Sequence, residues 1–185
     1  MNKSWVKIVI GLLVAVNLAL LAKIYVDRSN AKRNLYDVSS YLGQDRLPNV
    51  LVTDRNGKGY YLPELTKSDK PTMVVFFTPS DCPNCLDEKI IWEELINEYD
   101  INVVAVSSSP DKQEFWQWES FTKIPVPLYL DTTYAAVDSM YLETTPLKVL
   151  FNKNNTAVWA DPPRLDEHTQ KEFYKDLEYA IKTYL

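Results

Sequence analysis

The chain is poor in several of the residues on which scaffolds and metal sites depend. Its 185 residues include only two Cys, one His and four Gly. Two cysteines are too few for a disulfide scaffold or a four-cysteine zinc site, and four glycines exclude collagen-like and glycine-rich classes. A formal charge of −5, with no Lys/Arg cluster interleaved with aromatics, argues against a nucleic-acid partner. The length of 185 residues, with 12% aromatic residues, suffices for one folded domain plus an appendage.

An uncharged apolar run occupies the N-terminus. Residues 8–22 carry no charge, and extending the run to residues 5–26 gives the roughly 20 residues that a membrane-spanning helix needs. A cleaved signal peptide is the alternative, but Leu20 would be a poor residue at the −3 position of the cleavage site. We therefore predict an uncleaved membrane anchor over residues 1–28. Basic residues flank the run on both sides, so their count does not decide its orientation.

The rest of the chain predicts a linker and one α/β domain. Residues 29–47 are polar and lack apolar periodicity, which indicates a linker, and residues 48–185 have the size of a single domain. Strands are predicted over Asn49–Thr53, Tyr60–Leu62, Met73–Phe77, Ile101–Val106, Val126–Leu130, Leu147–Phe151 and Thr156–Trp159. Helices are predicted over Pro83–Tyr99, Asp111–Phe121, Tyr134–Met140 and Asp166–Leu185. This alternation, ending in a hairpin and a helix, predicts a mixed central sheet flanked by helices.

Two of these helices carry side chains that suggest how they pack. The helix predicted over Pro83–Tyr99 has an apolar stripe made of Ile90, Ile91, Leu95 and Ile96. In the helix predicted over Asp111–Phe121, Trp116 and Trp118 are two residues apart and cannot share one helical face. We expect one of these tryptophans in the core and the other in a surface groove.

Both cysteines lie in a single motif, Cys82-Pro83-Asn84-Cys85, which begins after four residues that follow the predicted strand MVVFF and which opens a helix. The free N–H groups and the positive end of the dipole at a helix N-terminus stabilise a thiolate, here at Cys82. Pro83 suits the first helical position because it has no N–H to leave unpaired. Cys85 is close enough to form a disulfide. The spacing therefore predicts that Cys82 attacks a substrate disulfide and that Cys85 resolves the mixed disulfide.

Two plainer interpretations of the cysteine pair compete with this one. A structural disulfide would close a loop so short that it stabilises the fold very little. A zinc site would need more ligands, and His168 lies more than 80 residues away in the sequence. We therefore favour a redox-active pair, and we expect no metal and no cofactor other than the redox disulfide itself.

Three stretches carry a family resemblance: LPNVLVTDRNGK, PTMVVFFTPSDCPNC and ETTPLKVLFNKNN. From Pro48 onward the chain resembles the thioredoxin-like superfamily, and most of all the membrane-anchored TlpA/ResA group of bacterial thiol-disulfide oxidoreductases. The resemblance implies a thioredoxin-like fold with a cis proline opposite the cysteine pair. This proline maps to Pro146, preceded by Thr145. The backbone beside it would pair with the substrate chain, and the proline would keep metal away from the thiols.

The same resemblance gives a role to Glu88. This residue follows Cys85 by three positions, which places both on one face of a helix, and ResA-type proteins carry a glutamate there that implies proton transfer. The alternative is an ordinary solvated glutamate among charged neighbours. The chain departs from the family at Asp81, where the family usually has Trp, and an anion there opposes thiolate formation at Cys82.

The resemblance implies a single-pass protein of the bacterial cytoplasmic membrane with an extracytoplasmic catalytic domain. Its partners would be membrane lipid, client protein disulfides or thiols, and a membrane thiol reductase as electron donor. One alternative is a peroxiredoxin-like thiol peroxidase, which needs Thr or Ser three residues before the reactive Cys, where this chain has Pro79. Another is a non-catalytic copper-binding assembly module, which would use a CxxxC pair and a distant His.

Overall fold

Residues 13–24, 46–79, 83–140, 145–163 and 167–185 are described by the computed structural model. The chain divides into two compact units, Met1–Leu35 and Tyr36–Leu185. In the first unit, residues 13–24 form a helix with exposed side chains, and the Asn17 side chain donates a hydrogen bond to the Leu13 carbonyl at 2.9 Å. Within the described ranges no helix combines the length and apolarity that a membrane crossing requires. The remainder of the predicted anchor lies outside these ranges.

The described part of the second unit contains seven strands and five helices. The strands are β1 (Leu51–Thr53), β2 (Gly59–Tyr61), β3 (Thr72–Phe77), β4 (Asn102–Ser108), β5 (Leu128–Asp131), β6 (Leu147–Phe151) and β7 (Ala157–Asp161). The helices are α1 (Leu62–Leu65), α2 (Pro83–Glu98), α3 (Lys112–Thr122), α4 (Ala135–Met140) and α5 (Glu167–Tyr184). Every predicted strand and helix is found, with small differences at the ends. The short helix α1 was not predicted from the sequence.

The strands form one mixed sheet in the order β2-β1-β5-β4-β3-β6-β7. Strands β3, β4 and β5 are parallel neighbours, while β6 pairs antiparallel with β3, and β7 antiparallel with β6. The hairpin of β1 and β2 joins the other side through an antiparallel contact with β5. The predicted α/β class with a mixed sheet is confirmed.

Two apolar layers cover the two faces of the sheet. Met73, Val75 and Phe77 of β3 point to the layer beneath α2, α3 and α5, whereas Val74 and Phe76 point to the layer beneath α1 and α4. Side chains alternate between the faces of a strand. A strand covered on both faces is therefore apolar at every position, as in the run MVVFF.

The packing of α2 differs in part from the predicted stripe. Ile91 and Leu95 are buried as expected, and Trp92 is buried with them, but Ile90 is 64% and Ile96 is 43% exposed. Positions 91, 92 and 95 form the face that meets the sheet, and so Ile90 and Ile96 are turned toward solvent.

A tyrosine joins α5 to α2. The Tyr174 hydroxyl donates a hydrogen bond to the Glu94 carboxylate, and the Tyr174 ring stacks on Tyr99 with centroids 6.3 Å apart. Partial burial, together with the bond to the carboxylate, raises the pKa of Tyr174 well above its usual value. The contact therefore favours the protonated hydroxyl.

The turn between β1 and β2 uses the predicted Asn-Gly pair. Gly57 has a φ of +82°, a left-handed conformation that suits glycine. The Gly57 N–H donates to the Asp54 carbonyl at 3.0 Å, and the Lys58 N–H donates to the Asp54 carboxylate at 2.9 Å. These bonds fix the short connection between the two strands.

Candidate active site at the carboxyl ends of the parallel strands

The predicted cysteine motif follows β3 at the edge where parallel strands end. Strand β3 ends at Phe77, and helix α2 begins at Pro83. Cys82 lies between them, outside the described residues. Cys85 belongs to the first turn of α2, where its backbone but not its side chain is described. The helix start that the thiolate prediction requires is thus present, and the states of the two thiols stay predictions.

The predicted substrate-binding proline lies at the same edge of the sheet. The Thr145–Pro146 peptide bond is cis, as the resemblance implies. Pro146 is buried and immediately precedes β6, whose first residue, Leu147, pairs with Phe76 near the end of β3. Strand pairing therefore brings the proline to the end of β3 from which the chain continues toward the cysteine motif.

Glu88 is fully buried, at 0% exposure. The alternative of a solvated helix glutamate is therefore wrong. The ammonium of Lys148 donates to both carboxylate oxygens of Glu88, at 3.0 Å and 2.8 Å, and to the carbonyl oxygen of Pro162 at 3.1 Å. An unpaired buried carboxylate would be costly, and this ammonium stabilises the charge of Glu88.

A second buried carboxylate completes this cluster. Asp161 on β7 lies directly opposite Lys148 on β6, and its Oδ2 is 3.2 Å from the Lys148 Nζ. Both side chains are 0% exposed. The Phe173 ring of α5 lies 5.4 Å from the same ammonium. Glu88, Lys148 and Asp161, here called the buried triad, therefore gather two carboxylates and one ammonium beneath α2 and α5.

The sequence analysis missed Lys148 and Asp161. Lys148 stands in the stretch Leu147–Phe151, which is otherwise apolar and is buried at every position. A charge inside such a run is a signal that a partner lies nearby. The identity of that partner could not be inferred, because Glu88 is 60 residues away in the sequence.

A groove lies at the edge of the sheet where β3, β4 and β5 end. It has a volume of about 290 Å³ and is called the aromatic groove after its lining: Pro79, Ser109, Pro110, Glu114, Phe115, Trp118 and Tyr134. These residues follow the carboxyl ends of β3, β4 and β5 or belong to α3. Pro79 precedes Cys82 by only three positions in the sequence. The groove therefore combines aromatic and polar side chains at the end of β3 from which the chain continues toward the motif.

The two tryptophans of α3 have different surroundings. Trp118 lines the aromatic groove and packs against Phe77 and Phe115, with ring centroids 5.7 Å and 5.9 Å away. Trp116 lies against Phe115 at 4.7 Å and does not line the groove. Both tryptophans are half-buried and pack against the core, and Trp118 is the one that lines a groove, as the prediction of one core and one groove tryptophan implied.

The described residues contain no group of three or more His, Cys, Asp or Glu side chains placed to hold a metal ion. The side chains of His168, Cys82 and Cys85 are outside the described residues. The expectation of a site without metal therefore stays a prediction.

The fold places the chain in a known structural class. A mixed sheet with a cis proline next to the strand that leads into the first long helix is the thioredoxin-like arrangement. A protein of Chlorobium tepidum, described as a thiol:disulfide interchange protein DsbE, superposes with a TM-score of 0.61 at 15% identity, covering 74% of this chain and 96% of its own. A protein of Neisseria meningitidis, described as a thioredoxin, superposes with a TM-score of 0.58 at 21% identity, covering 76% and 93%.

A third solved structure has the same fold, and the sequence itself assigns the family. The exposed lipoprotein thioredoxin of Streptococcus pneumoniae gives a TM-score of 0.54 at 19% identity, covering 70% of this chain and 99% of its own. The chain belongs to the AhpC/TSA family, whose sequence profile matches residues 43–159. No curated protein sequence matches the chain significantly. Family and fold together confirm the thioredoxin-like superfamily.

Proposed function

We propose that the protein is a membrane-tethered thiol-disulfide oxidoreductase that reduces disulfides of extracytoplasmic client proteins through Cys82 and Cys85. The observation that carries the proposal is that the chain leads from β3 through Cys82 into the first turn of α2, which contains Cys85, and that β3 pairs with the strand that follows cis Pro146. The AhpC/TSA family match and the thioredoxin-like fold support it.

The proposed reaction has two exchange steps. The Cys82 thiolate attacks one sulfur of the client disulfide, forms a mixed disulfide and releases the other client sulfur as a thiolate. Cys85 then attacks Cys82, which closes the Cys82–Cys85 disulfide and frees the second client sulfur. The client gains two electrons and the cysteine pair loses them. A membrane thiol reductase would return the electrons to the pair.

The aromatic groove and the backbone at Thr145 are the proposed client-binding surfaces. The groove contributes aromatic and polar side chains at the carboxyl end of β3, and Trp118 is its largest side chain. Thr145 lies at the start of the segment that leads into β6, where an extended client segment would bind beside Pro146. Binding on both sides of the motif would orient the client disulfide toward Cys82.

Insulin disulfide reduction by the full chain in detergent tests the cysteine roles. We expect Cys82→Ser to abolish turnover and Cys85→Ser to accumulate mixed disulfides with the client, because the resolving thiol is lost. Ser120→Ala, at an exposed position of α3 that does not line the groove, is the matched control for a small change at a surface serine and should retain turnover. Equal turnover in the wild type and both cysteine variants would refute the proposal.

The membrane tether rests on the apolar run over residues 8–22. Its described part is helical and presents apolar side chains, among them Leu18 and Leu21, which are 62% and 63% exposed. Carbonate extraction of membranes tests the tether, and a C-terminal alkaline phosphatase fusion tests which side of the membrane the domain occupies. Release by carbonate would contradict the tether, and an inactive but intact fusion would contradict the extracytoplasmic placement.

The thiol peroxidase is the second candidate, and the AhpC/TSA match is the observation that favours it. Pro79 occupies the position where a peroxidase would have Thr or Ser, although Thr78, one residue earlier, is 8% exposed at the end of β3. Peroxide consumption by the full chain separates the candidates. Rapid peroxide turnover together with slow insulin reduction would favour the peroxidase.

A further inference from the structure

Tyr134, which lines the aromatic groove, has an unusual backbone conformation. Its φ is +59°, a left-handed value that is uncommon for residues other than glycine, asparagine and aspartate. The residue is 37% exposed, so it is not held this way as part of the core. Strain of this kind is concentrated at functional sites, where the surrounding structure imposes it. The conformation therefore points to a role for the Tyr134 ring in the groove.

The loop around Tyr134 is fixed by Asp131, a fully buried residue at the end of β5. One oxygen of the Asp131 carboxylate accepts hydrogen bonds from the N–H and the hydroxyl of Thr133, at 2.9 Å and 2.7 Å, and the other accepts from the Ala136 N–H at 2.8 Å. These bonds are made to residues on both sides of Tyr134. The buried carboxylate therefore imposes the loop conformation that brings Tyr134 to the groove.

Helix α3 forms the other side of the groove. Glu114 and Trp118 are four residues apart on this helix, which makes them neighbours on its surface, and both line the groove. Trp118 is half-buried against Phe115, with ring centroids 5.9 Å apart. The groove therefore combines one carboxylate with two partly exposed aromatic side chains, Trp118 and Tyr134.

Glu114 gives the groove its charge, since it is the only charged residue among the described residues that line it. The ammonium of Lys112 lies close to Gly57 in the turn between β1 and β2, and Glu119 is paired with Arg55 at 2.7 Å. Glu114 is exposed, and its carboxylate has no ion pair within the described part of the chain. A cation that enters the groove would therefore meet an available carboxylate.

Aromatic rings beside a carboxylate are suited to bind a cation. The ring faces of tryptophan and tyrosine attract a lysine ammonium or an arginine guanidinium, and a carboxylate adds an ion pair. The groove is also close to the motif in the sequence, because the three residues from Pro79 to Cys82 span at most about 11 Å even when fully extended. An extended client advances about 3.3 Å per residue. A client cation in the groove would therefore lie within about four residues of the client cysteine that Cys82 attacks.

We propose that the aromatic groove selects clients that have a lysine or arginine close to their disulfide, and that Glu114 and Tyr134 are the specificity-determining residues that bind this cation. The inference rests on the proposed thiol-disulfide exchange and adds a client class to it. Trp118 contributes the second aromatic surface, and Asp131 is the positioning residue that fixes the loop of Tyr134.

Reduction of matched peptides by the full chain in detergent tests this selection. Each peptide has one internal disulfide and a lysine at one of the four positions on either side of it, and its partner peptide has glutamine at the same position. We expect the kcat/KM of the best lysine peptide to exceed that of its glutamine partner by about fivefold, the effect of one exposed cation contact. Equal values for every pair would overturn the proposal.

Glu114→Gln removes the carboxylate and keeps the length of the side chain. In this variant the preference for the lysine peptide should fall to about twofold or less, while the kcat/KM of the glutamine peptide stays as in the wild type. Glu98→Gln is the matched control, because Glu98 is an exposed glutamate at the last position of α2, and it should retain the lysine preference. Loss of the preference in both variants, or in neither, would overturn the proposal.

Tyr134→Asn separates a binding role of the ring from a role in the fold. Asparagine adopts a left-handed conformation more readily than tyrosine, so the variant should unfold at the same temperature as the wild type or a higher one. The lysine preference should nevertheless fall by about twofold, because one aromatic contact with the cation is lost. An unchanged lysine preference would overturn the role of Tyr134, whatever the melting temperature.

Binding of peptides without cysteine distinguishes a failure of this inference from a failure of the proposed function. With both cysteines replaced by serine, the lysine peptide should bind more tightly than the glutamine peptide by about fivefold, followed by tryptophan fluorescence. This difference should be lost in Glu114→Gln, and equal binding of the two peptides to the wild type would overturn the proposal. Failure of the proposed function would appear instead as insulin reduction that survives Cys82→Ser.

Discussion

Replacing Lys148 with methionine should lower the free energy of unfolding, because it removes the one cation of the buried triad. Met keeps most of the length of the lysine stem but removes the ammonium that both carboxylates of the triad contact at 0% exposure. Breaking a buried ion pair by removing one partner costs about 3–5 kcal/mol. In a protein of this size each kcal/mol corresponds to about 2–4 °C, so the melting temperature of Lys148→Met should fall by roughly 6–20 °C.

A variant without charges tests the electrostatic origin of this loss. The triple variant Lys148→Met/Glu88→Gln/Asp161→Asn removes all three charges and should recover much of the stability. Thermal unfolding of the full chain, followed by circular dichroism at neutral pH, compares the two variants with the wild type. An unchanged melting temperature in Lys148→Met, or a loss that the triple variant does not reduce, would refute the reasoning.

Three further predictions concern the groove, the helix contact and the first turn. Trp118→Ala should raise the KM for a client by about tenfold, because it removes the largest side chain of the aromatic groove. Trp116→Ala, outside the groove, should leave the KM unchanged, and equal effects of the two substitutions in a kinetic assay would contradict this prediction. Tyr174→Phe should lower stability at neutral pH by about 1 kcal/mol through the lost bond to Glu94. Because the pKa of Tyr174 is raised in the folded state, its contribution to the free energy of unfolding is full below about pH 10 and is lost as the pH rises further. The stability of the variant, measured by urea unfolding, should therefore depend less on alkaline pH than that of the wild type. Gly57→Ala should lower the free energy of unfolding, measured with urea, by about 1 kcal/mol, because a φ of +82° strains any other residue. Unchanged stability would contradict this and would show that the turn changes its conformation.

Much of the fold could be predicted because its signals are local. The buried run MVVFF, the Asn-Gly turn and the apolar stretch Leu147–Phe151 each correspond to an observed strand or turn. The cap of α3 was equally accessible, since the Asp111 carboxylate accepts a hydrogen bond from the Glu114 N–H at 2.9 Å. Periodicity and turn chemistry depend on neighbours within a few residues, and so the sequence alone reveals them.

Features that depend on distant contacts were predicted less well. The face of α2 was placed partly wrong because Ile90 and Trp92 are equally apolar in the sequence, and only the sheet determines that Trp92 is buried. The cis bond before Pro146 followed from the family resemblance and not from any local signal. The pairing of Glu88 with Lys148 requires strand β6 to lie next to β3, which no short stretch of sequence encodes.

The closed environment of the triad also limits how this protein can diverge. A homologue that replaces Lys148 with an apolar residue would lack the ammonium that contacts both buried carboxylates, and a homologue that neutralises both acids would lack the two carboxylates that contact this buried ammonium. Substitutions at these three positions should therefore occur in concert among related sequences, and a homologue whose position 148 is apolar should have uncharged residues at positions 88 and 161.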